Sequence, residues 1–309
     1  MKFKKPNFWK NINIFSIVLL PLTLLTLIFI SIKDLIIKPK KFYLPIICVG
    51  NIFVGGTGKT PASIFLYNLL KKNKKKPAVI RKYYSSHADE ILLTKNKIGS
   101  FFFDKKRVRA ILLAEKKKYN VVIMDDGLQD KSIKKDISII CFNSKEALGN
   151  NFLLPAGPLR EPLRNKEEHL IILINGNKNK KLEKIIKSKL NNFQIFYSKY
   201  IPKNINKFKN KKLFAFAGIG NPESFFKLLK DNNLKLKKKV AFPDHYNYSK
   251  EEISELIDYA KKNNLTLVTT EKDYYRLKTL NLYKINYISV DLKIINESKF
   301  KNEIIKRLW

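Results

Sequence analysis

A lysine and a threonine directly after a glycine turn, and two adjacent aspartates after an apolar run further along, are the residues of this chain best suited to chemistry on phosphate. The stretch "VGNIFVGGTGKTP", residues 49–61, sets Gly55, Gly56 and Gly58 ahead of Lys59 and Thr60. Glycines without a Cβ let backbone N–H groups converge on an anion at the start of a helix. A lysine in this place reaches the β/γ-phosphates of a nucleotide and the hydroxyl after it ligates Mg²⁺. The strict nucleotide-loop pattern has a further glycine where this chain has Phe53, so the match is to the GGTGKT end. The expected ATP-binding set is Val54, Gly55, Gly56, Thr57, Gly58, Lys59 and Thr60. "VVIMDDG" runs an apolar strand into Asp125 and Asp126, an acidic strand end of the kind that holds Mg²⁺ or orients its waters in phosphate-loop enzymes. With Thr60 they form the expected metal set.

These residues need a strand, a turn and a helix to hold them, and the local sequence supplies each. "LPIICV" before the glycines is a short apolar run with β-branched residues, the pattern of a buried strand. "TPASIFLYNLLKK" after them has apolar residues at helical spacing, with Pro61 in the first turn, where a missing N–H costs little. "KPAVIR", "DISIICF" and "HLIILIN" read as further buried strands alternating with helices, which implies a mostly parallel sheet covered on both faces. Between the last two lies "NFLLPAGPLREPLR", residues 151–164, too broken by proline for a helix. It is expected to present Arg160, Glu161 and Arg164 at the strand carboxyl ends, where ligands bind in open α/β sheets. A second α/β unit opens with "KLFAFAGIGNPESFF", whose Gly218 and Gly220 read as a tight turn, and continues through "AFPDHYNYS" and "LTLVTTEKDYYRL".

Composition narrows the function classes. Lys+Arg of 62 against Asp+Glu of 26 gives a formal charge of +36, which in isolation points to nucleic acid or anionic membrane. Only seven of the 62 are arginine, and lysine is spread among abundant asparagine and isoleucine, as an AT-biased genome would produce. Arginine clusters with interleaved aromatics are lacking, so nucleic acid is not an expected partner. Cys48 and Cys141 lie in apolar strand runs and read as buried thiols of a reducing compartment. From Asn11 to Ile32 there is no charged residue. At about 1.5 Å per residue that stretch is long enough to cross a ~30 Å hydrocarbon core or to lie deeply inserted in its plane.

Taken in order behind that apolar helix, "VGNIFVGGTGKTP", "DDGLQD", "LLPAGPLREP", "FPDHYNYS" and "TTEKD" resemble the tetraacyldisaccharide 4′-kinase (lipid A 4′-kinase) family over nearly the whole chain. The resemblance implies ATP- and Mg²⁺-dependent phosphorylation of the 4′-hydroxyl of a tetraacylated glucosamine disaccharide 1-phosphate. The product is lipid IVA, and the site of action is the cytoplasmic face of the inner membrane. It implies two α/β/α sandwich domains, the first with a P-loop, joined by a short β linker and preceded by an apolar membrane helix. On this chain the parts fall at 1–36 for the anchoring helix, 37–192 for the P-loop kinase domain, 193–210 for the linker and 211–309 for the smaller C-terminal domain. Carried over by residue, Lys59 and Thr60 look like the phosphate and Mg²⁺ residues, and Asp125 and Asp126 like the acidic pair. Asp89 looks like the carboxylate near the acceptor hydroxyl and His245 like the histidine that works with it. Arg160 and Glu161 match the element near the reacting groups. "RKYYSS" stands where the family has Arg-Gly-Tyr-Gly, and Gln129-Asp130 where it has Gln-His.

Physical chemistry asks for the same parts. Phosphoryl transfer from ATP is mostly positioning and charge neutralisation, and a sugar hydroxyl needs a carboxylate or imidazole within about 3 Å to take its proton. Asp89 and His245 each follow a strand in what reads as a different α/β unit. A second function class fits the donor residues equally well: a membrane-tethered P-loop ATPase acting as a switch or partner-binding module, which keeps Lys59, Thr60 and Asp125 but has no use for an acceptor-side base.

Overall fold

The computed structural model describes residues 5–84, 88–164, 169–244, 246–278 and 285–308, with the side chains of 88–90 excepted. Its strands are β1 Ile46–Gly50, β2 Pro77–Lys82, β3 Phe101–Asp104, β4 Val121–Asp125, β5 Ile137–Asn143, β6 Leu170–Asn175, β7 Phe193–Pro202, β8 Lys212–Ala217, β9 Lys235–Ala241, β10 Thr266–Thr270, β11 Asn286–Ile288 and β12 Val290–Ile294. Its helices are α1 Ile14–Val18, α2 Leu20–Ile36, α3 Lys59–Lys72, α4 Ala88–Lys97, α5 Arg107–Lys116, α6 Lys180–Lys189, α7 Pro222–Asp231, α8 Lys250–Lys262, α9 Glu271–Lys278 and α10 Glu297–Leu308. They gather into two compact units. One holds Lys5–Tyr83, Ile98–Lys199 and Leu292–Trp309; the other holds Tyr84–Lys97 and Tyr200–Asp291.

The first unit is built on a sheet of order β12-β7-β6-β5-β1-β4-β2-β3. β1 pairs in parallel with β4 on one side and β5 on the other, and β2, β3, β6 and β7 extend the sheet in parallel. Every residue of β1 and β4 is buried, as a sheet covered on both faces demands. From β1 the chain leaves to one side for β2 and β3 and to the other for β5 and β6. The carboxyl end of β1 is therefore the point of divergence at which such sheets form their crevice. The 193–210 segment, expected to be the linker, supplies β7, which runs alongside β6 from Leu170↔Phe193 to Asn175↔Ser198.

The second unit has a four-stranded parallel sheet of order β11-β10-β8-β9. β8 is buried through "LFAFA", whereas the edge strand β9, "KLKKKVA", alternates half-buried and exposed residues. Its lysines blunt an edge that would otherwise offer unpaired backbone to another chain. α8 is closed by a capping box in which Ser249 and Glu252 satisfy each other's backbone N–H groups. α4, which carries Asp89, belongs to this unit and not to the one that β2 leads from. Its last residue, Lys97, sets its Nζ 2.5 Å from Oε2 of Glu271, the first residue of α9. The expectation that the helix of Asp89 belongs with the P-loop unit is corrected accordingly.

The apolar N-terminus also departs from expectation. It folds as two helices, the second only 17 residues long with Pro21 in its first turn, so it rises about 26 Å, short of a ~30 Å core. No helix among the described residues is long and apolar enough to cross a membrane, so the expected apolar membrane helix is not found there. Ile14, Phe15, Leu24, Leu25, Phe29 and Ile36 on these helices are exposed. The opposite side of the segment is docked on the proline-rich stretch. Trp9 Nε1 donates to Pro155 O at 2.9 Å, Asn150 N to Trp9 O at 2.8 Å and Ala156 N to Thr23 Oγ1 at 3.3 Å. The far side of that stretch meets the glycine turn, where Val54 N donates to Pro158 O at 2.9 Å and Arg160 N to Ile52 O at 2.7 Å.

Candidate functional site at the end of the first strand

β1 ends at Gly50, and the chain turns through residues 51–58 into α3. Gly55 has φ 127° and Gly58 φ 92°, backbone states that side chains oppose, so both glycines are conformational requirements. A Cβ on Gly56 would meet nothing within 4 Å, so the turn is open there for a backbone to approach a ligand. Asn51, fully buried, braces the turn from within: its Nδ2 donates to Phe53 O at 2.7 Å, Thr57 Oγ1 at 2.9 Å and Gly55 O at 3.3 Å. Phe53, which replaces the expected glycine, is buried, with Lys5 Nζ 5.0 Å above its ring. No side chain caps the N-terminus of α3, so its first N–H groups remain available to an anion.

The acidic pair divides into two roles. Asp125 is fully buried; its carboxylate accepts from Ser63 Oγ at 2.9 Å, Thr60 Oγ1 at 3.2 Å and Arg81 Nη1 at 2.9 Å. Arg81 also donates to Thr60 Oγ1 at 3.1 Å, so the hydroxyl expected to ligate metal is oriented from two sides. Asp126, with φ 51°, turns the other way. Its Oδ1 lies 3.6 Å from Lys59 Nζ and 3.2 Å from Arg160 Nη2. Burial works to raise its carboxyl, but the charges of Lys59, Arg160 and Arg81 outweigh it and hold the group at about 2. It is a carboxylate at any physiological pH.

Arg160 reaches this cluster because the proline-rich stretch pairs back onto the turn; its Nη2 also donates to Asn51 O at 3.0 Å, which Gln129 Nε2 approaches at 2.8 Å. Glu161, beside it, is nearly buried and engaged by Lys131 Nζ at 2.8 Å. Arg164 does not join them and pairs with Asp34 of α2 at 2.7 Å. Asp130, in the place of the family's histidine, pairs with Arg107 at 3.2 Å, and Arg107 Nη2 donates to Asp126 O at 2.6 Å. The structure thus brings together Lys59, Thr60, Asp125, Asp126 and Arg160 around the turn that runs from Val54 through Thr57 to Gly58. The side chain of Asp89 and the whole of His245 lie outside the described residues.

Four contributors were given no role from the sequence, although all but Arg107 stand in motifs quoted for the resemblance: Asn51, Arg81, Arg107 and Gln129. The two arginines carried a usable signal. Six of the seven arginines are in ion pairs with carboxylates. In a chain that uses lysine wherever a point charge suffices, arginine marks the places that need a fork of donors.

Cation, hydroxyl and ionised carboxylate at an open glycine turn on a helix N-terminus suit the binding of a phosphorylated ligand with a divalent cation. Among the described residues no three His, Cys, Asp or Glu side chains form a metal cage. Mg²⁺ is held by one or two carboxylates together with substrate phosphates, and Asp125 and Asp126 offer carboxylates at this turn. As a class, this is an α/β protein with parallel sheets and a glycine turn into a helix at the carboxyl end of its central strand. A family model described as tetraacyldisaccharide-1-P 4′-kinase matches residues 15–309, and the chain belongs to that family. It is 42% identical over 314 residues to the tetraacyldisaccharide 4′-kinase of Pelagibacter ubique (strain HTCC1062), covering 99% of this chain and 98% of the relative. It is 34% identical over 325 residues to that of Rickettsia akari (strain Hartford), with the same coverage. Among solved structures it is similar to LpxK from Aquifex aeolicus, crystallised in its "apo" form in complex with ATP, with a TM-score of 0.73 and 25% identity over 95% of this chain and 99% of that one.

Proposed function

We propose that the chain transfers the γ-phosphate of ATP to the 4′-hydroxyl of a tetraacylated glucosamine disaccharide 1-phosphate, forming lipid IVA. The observation that carries this reading is the cluster of Lys59, Asp126 and Arg160 at the open glycine turn, in a chain of this family. The backbone from Val54 to Thr60 cradles the phosphates, a P-loop in function although Phe53 departs from the strict pattern. Lys59 and Arg160 meet the negative charge, and Glu161 keeps Arg160's neighbourhood in place through Lys131. Thr60 and Asp126 hold Mg²⁺, with Asp125 orienting Thr60 from beneath. Bound there, Mg²⁺ neutralises charge on the phosphate oxygens. Lys59 and Asp126 exchange their mutual pairing for ligand contacts, the phosphate charge replacing Asp126 for Lys59 and the metal charge replacing Lys59 for Asp126.

On the acceptor side, Asp89 and His245 take the hydroxyl proton. The lipid reaches them from a membrane surface on which α1 and α2 lie in plane by their exposed apolar side chains, a peripheral attachment to the cytoplasmic face of the inner membrane. The test is to incubate the purified protein with Mg²⁺-ATP and the disaccharide lipid and weigh the lipid product. A species heavier by one phosphate is expected; ATP hydrolysis with no phosphorylated lipid would favour the ATPase switch instead.

A further inference from the structure

"TTEKD" and the GIG turn lie outside the donor site, and the second unit shows what joins them. Asp273 is fully buried, and its carboxylate accepts from Thr270 Oγ1 at 2.7 Å, Gly218 N at 3.0 Å, Tyr248 OH at 3.1 Å and Arg276 Nη1 at 2.9 Å. Arg276 Nη1 donates onward to Tyr246 O at 3.1 Å and Gly218 O at 3.2 Å. Lys272 Nζ stands 3.6 Å from Asp244 Oδ1. α9 therefore grips Asp244, Tyr246 and Tyr248, every second residue across the stretch that contains His245. The rings of Phe242, Tyr246 and Tyr248 pack on one another with centroids 4.8 to 5.2 Å apart, and Tyr246 OH donates to Glu252 of α8 at 2.5 Å. Gly218 is glycine because a Cβ there would come within 2.6 Å of Tyr248 OH and 3.1 Å of Tyr246 Cβ. The same helix grips the other acceptor segment: Glu271 Oε2 accepts from Lys97 Nζ, and Lys97 ends the helix that has Asp89 in its first turn.

We propose that α9 is a bracket that positions both acceptor-side segments, with Glu271 holding α4 and Asp273 and Arg276 holding the 242–249 loop; these are positioning residues and not catalytic ones. The inference rests on the reading of Asp89 and His245 given under the proposed function. A buried carboxylate and guanidinium contribute little net stability compared with an apolar pair, so their value lies in fixing one arrangement of the backbone they hold. Proton abstraction from a hydroxyl is sensitive to such placement, since a displacement of about 1 Å can cost on the order of 10²-fold in rate.

The experiment measures kcat and the KM for ATP with Mg²⁺-ATP and the disaccharide lipid, using the full chain. Arg276→Gln and Tyr248→Phe are made in the wild type and in His245→Ala, and Glu271→Gln in the wild type and in Asp89→Asn. Arg276→Gln is expected to cut kcat by roughly 10- to 100-fold and Tyr248→Phe by about 10-fold, with the KM for ATP changed by less than about twofold. In the His245→Ala or Asp89→Asn background the matching bracket variant should add less than about threefold, because residues that act through one group are non-additive. Undiminished additive losses in those backgrounds, or near-normal kcat in both loop variants, would overturn the bracket. If Arg276→Gln fails to fold, Tyr248→Phe, which removes a single hydroxyl, carries the test. Normal rates for His245→Ala and Asp89→Asn themselves would instead refute the acceptor-side reading, and the bracket with it.

Discussion

Each compact unit buries one aspartate against one arginine at 2.9 Å, at or just beyond the carboxyl end of an inner strand: Asp125 with Arg81 at the end of β4, and Asp273 with Arg276 after β10. In the first unit the carboxylate is met by side chains, the hydroxyls of Thr60 and Ser63 and the fork of Arg81. The next residue, Asp126, then turns outward to Lys59 and Arg160. In the second unit the carboxylate is met by the Gly218 N–H and the hydroxyls of Thr270 and Tyr248, and its arginine continues to backbone carbonyls. One device therefore orients side chains around a turn, and the other holds the course of a loop. Burial raises the Asp273 carboxyl, and Arg276, Thr270, Gly218 and Lys272 work against that rise. Both pairs cost desolvation and survive because each carboxylate is fully partnered.

The comparison can be broken at several strengths. Lys59→Ala should give the largest effect, a loss of transfer on the order of 10³-fold or more, because the side chain meets ligand charge. Near-normal phosphoryl transfer in a radiolabel assay would remove the donor role from the first unit. Arg81→Met should then cost about 3–5 kcal/mol of unfolding free energy, since it leaves a buried carboxylate unpaired. Arg276→Met should cost less, as Arg276 keeps 12% of its side chain exposed against 3% for Arg81. Equal losses in denaturant titrations would erase the distinction between the pairs.

A third effect is acidic. Asp126 is held at about 2 against an ordinary 3.8, so it contributes stability that is fully present above about pH 4 and is lost as the pH falls toward 2. Asp126→Asn should flatten the stability profile in that window by about 2 kcal/mol. An unchanged acid-unfolding curve would mean that Lys59 and Arg160 do not hold this carboxylate in the folded protein. The smallest change in stability belongs far from both pairs: Phe29→Glu on α2 should stay within about 0.5 kcal/mol of the wild type. Its sedimentation with anionic vesicles should nevertheless fall several-fold, and undiminished sedimentation would move the attachment elsewhere.

The elements around β1 were legible because glycine, lysine and hydroxyl in that order after an apolar run leave few alternatives, and β4 with its acidic end was legible for the same reason. What distinguished Asp125 from Asp126 was not legible. Adjacent side chains of a strand already point to opposite faces, and nothing in "DDG" says which of the two will be covered by Arg81 or that Asp126 will take φ 51°. The place of α4 was misread because chain order put it beside β2, whereas the contact that fixes it, Lys97 with Glu271, is far away in sequence. Length alone left the N-terminal stretch open between a span and an in-plane insertion: an uncharged run from Asn11 to Ile32 allows either, and only the structure shows that the break at Leu19, with Pro21 after it, divides the helix. Gly218 was assigned to a tight turn from its spacing, and its reason is the approach of Tyr248 and Tyr246, which only the folded chain reveals.

The proline-rich stretch has hydrogen bonds on both flanks, to Trp9 and Thr23 on one and to Val54 and Ile52 on the other. It is a shim of fixed thickness between the apolar helices and the phosphate cradle. On the proposed peripheral attachment, the depth to which α2 sinks among the headgroups sets the standoff of that cradle from the bilayer, with no hinge among these contacts to absorb a difference. Removing residues 1–36 would therefore do more than cast the protein loose. It would strip the partners from Asn150, Pro155 and Ala156 and slacken the turn that grips ATP, so a truncated enzyme should bind nucleotide less tightly even in detergent, where there is no surface left to leave.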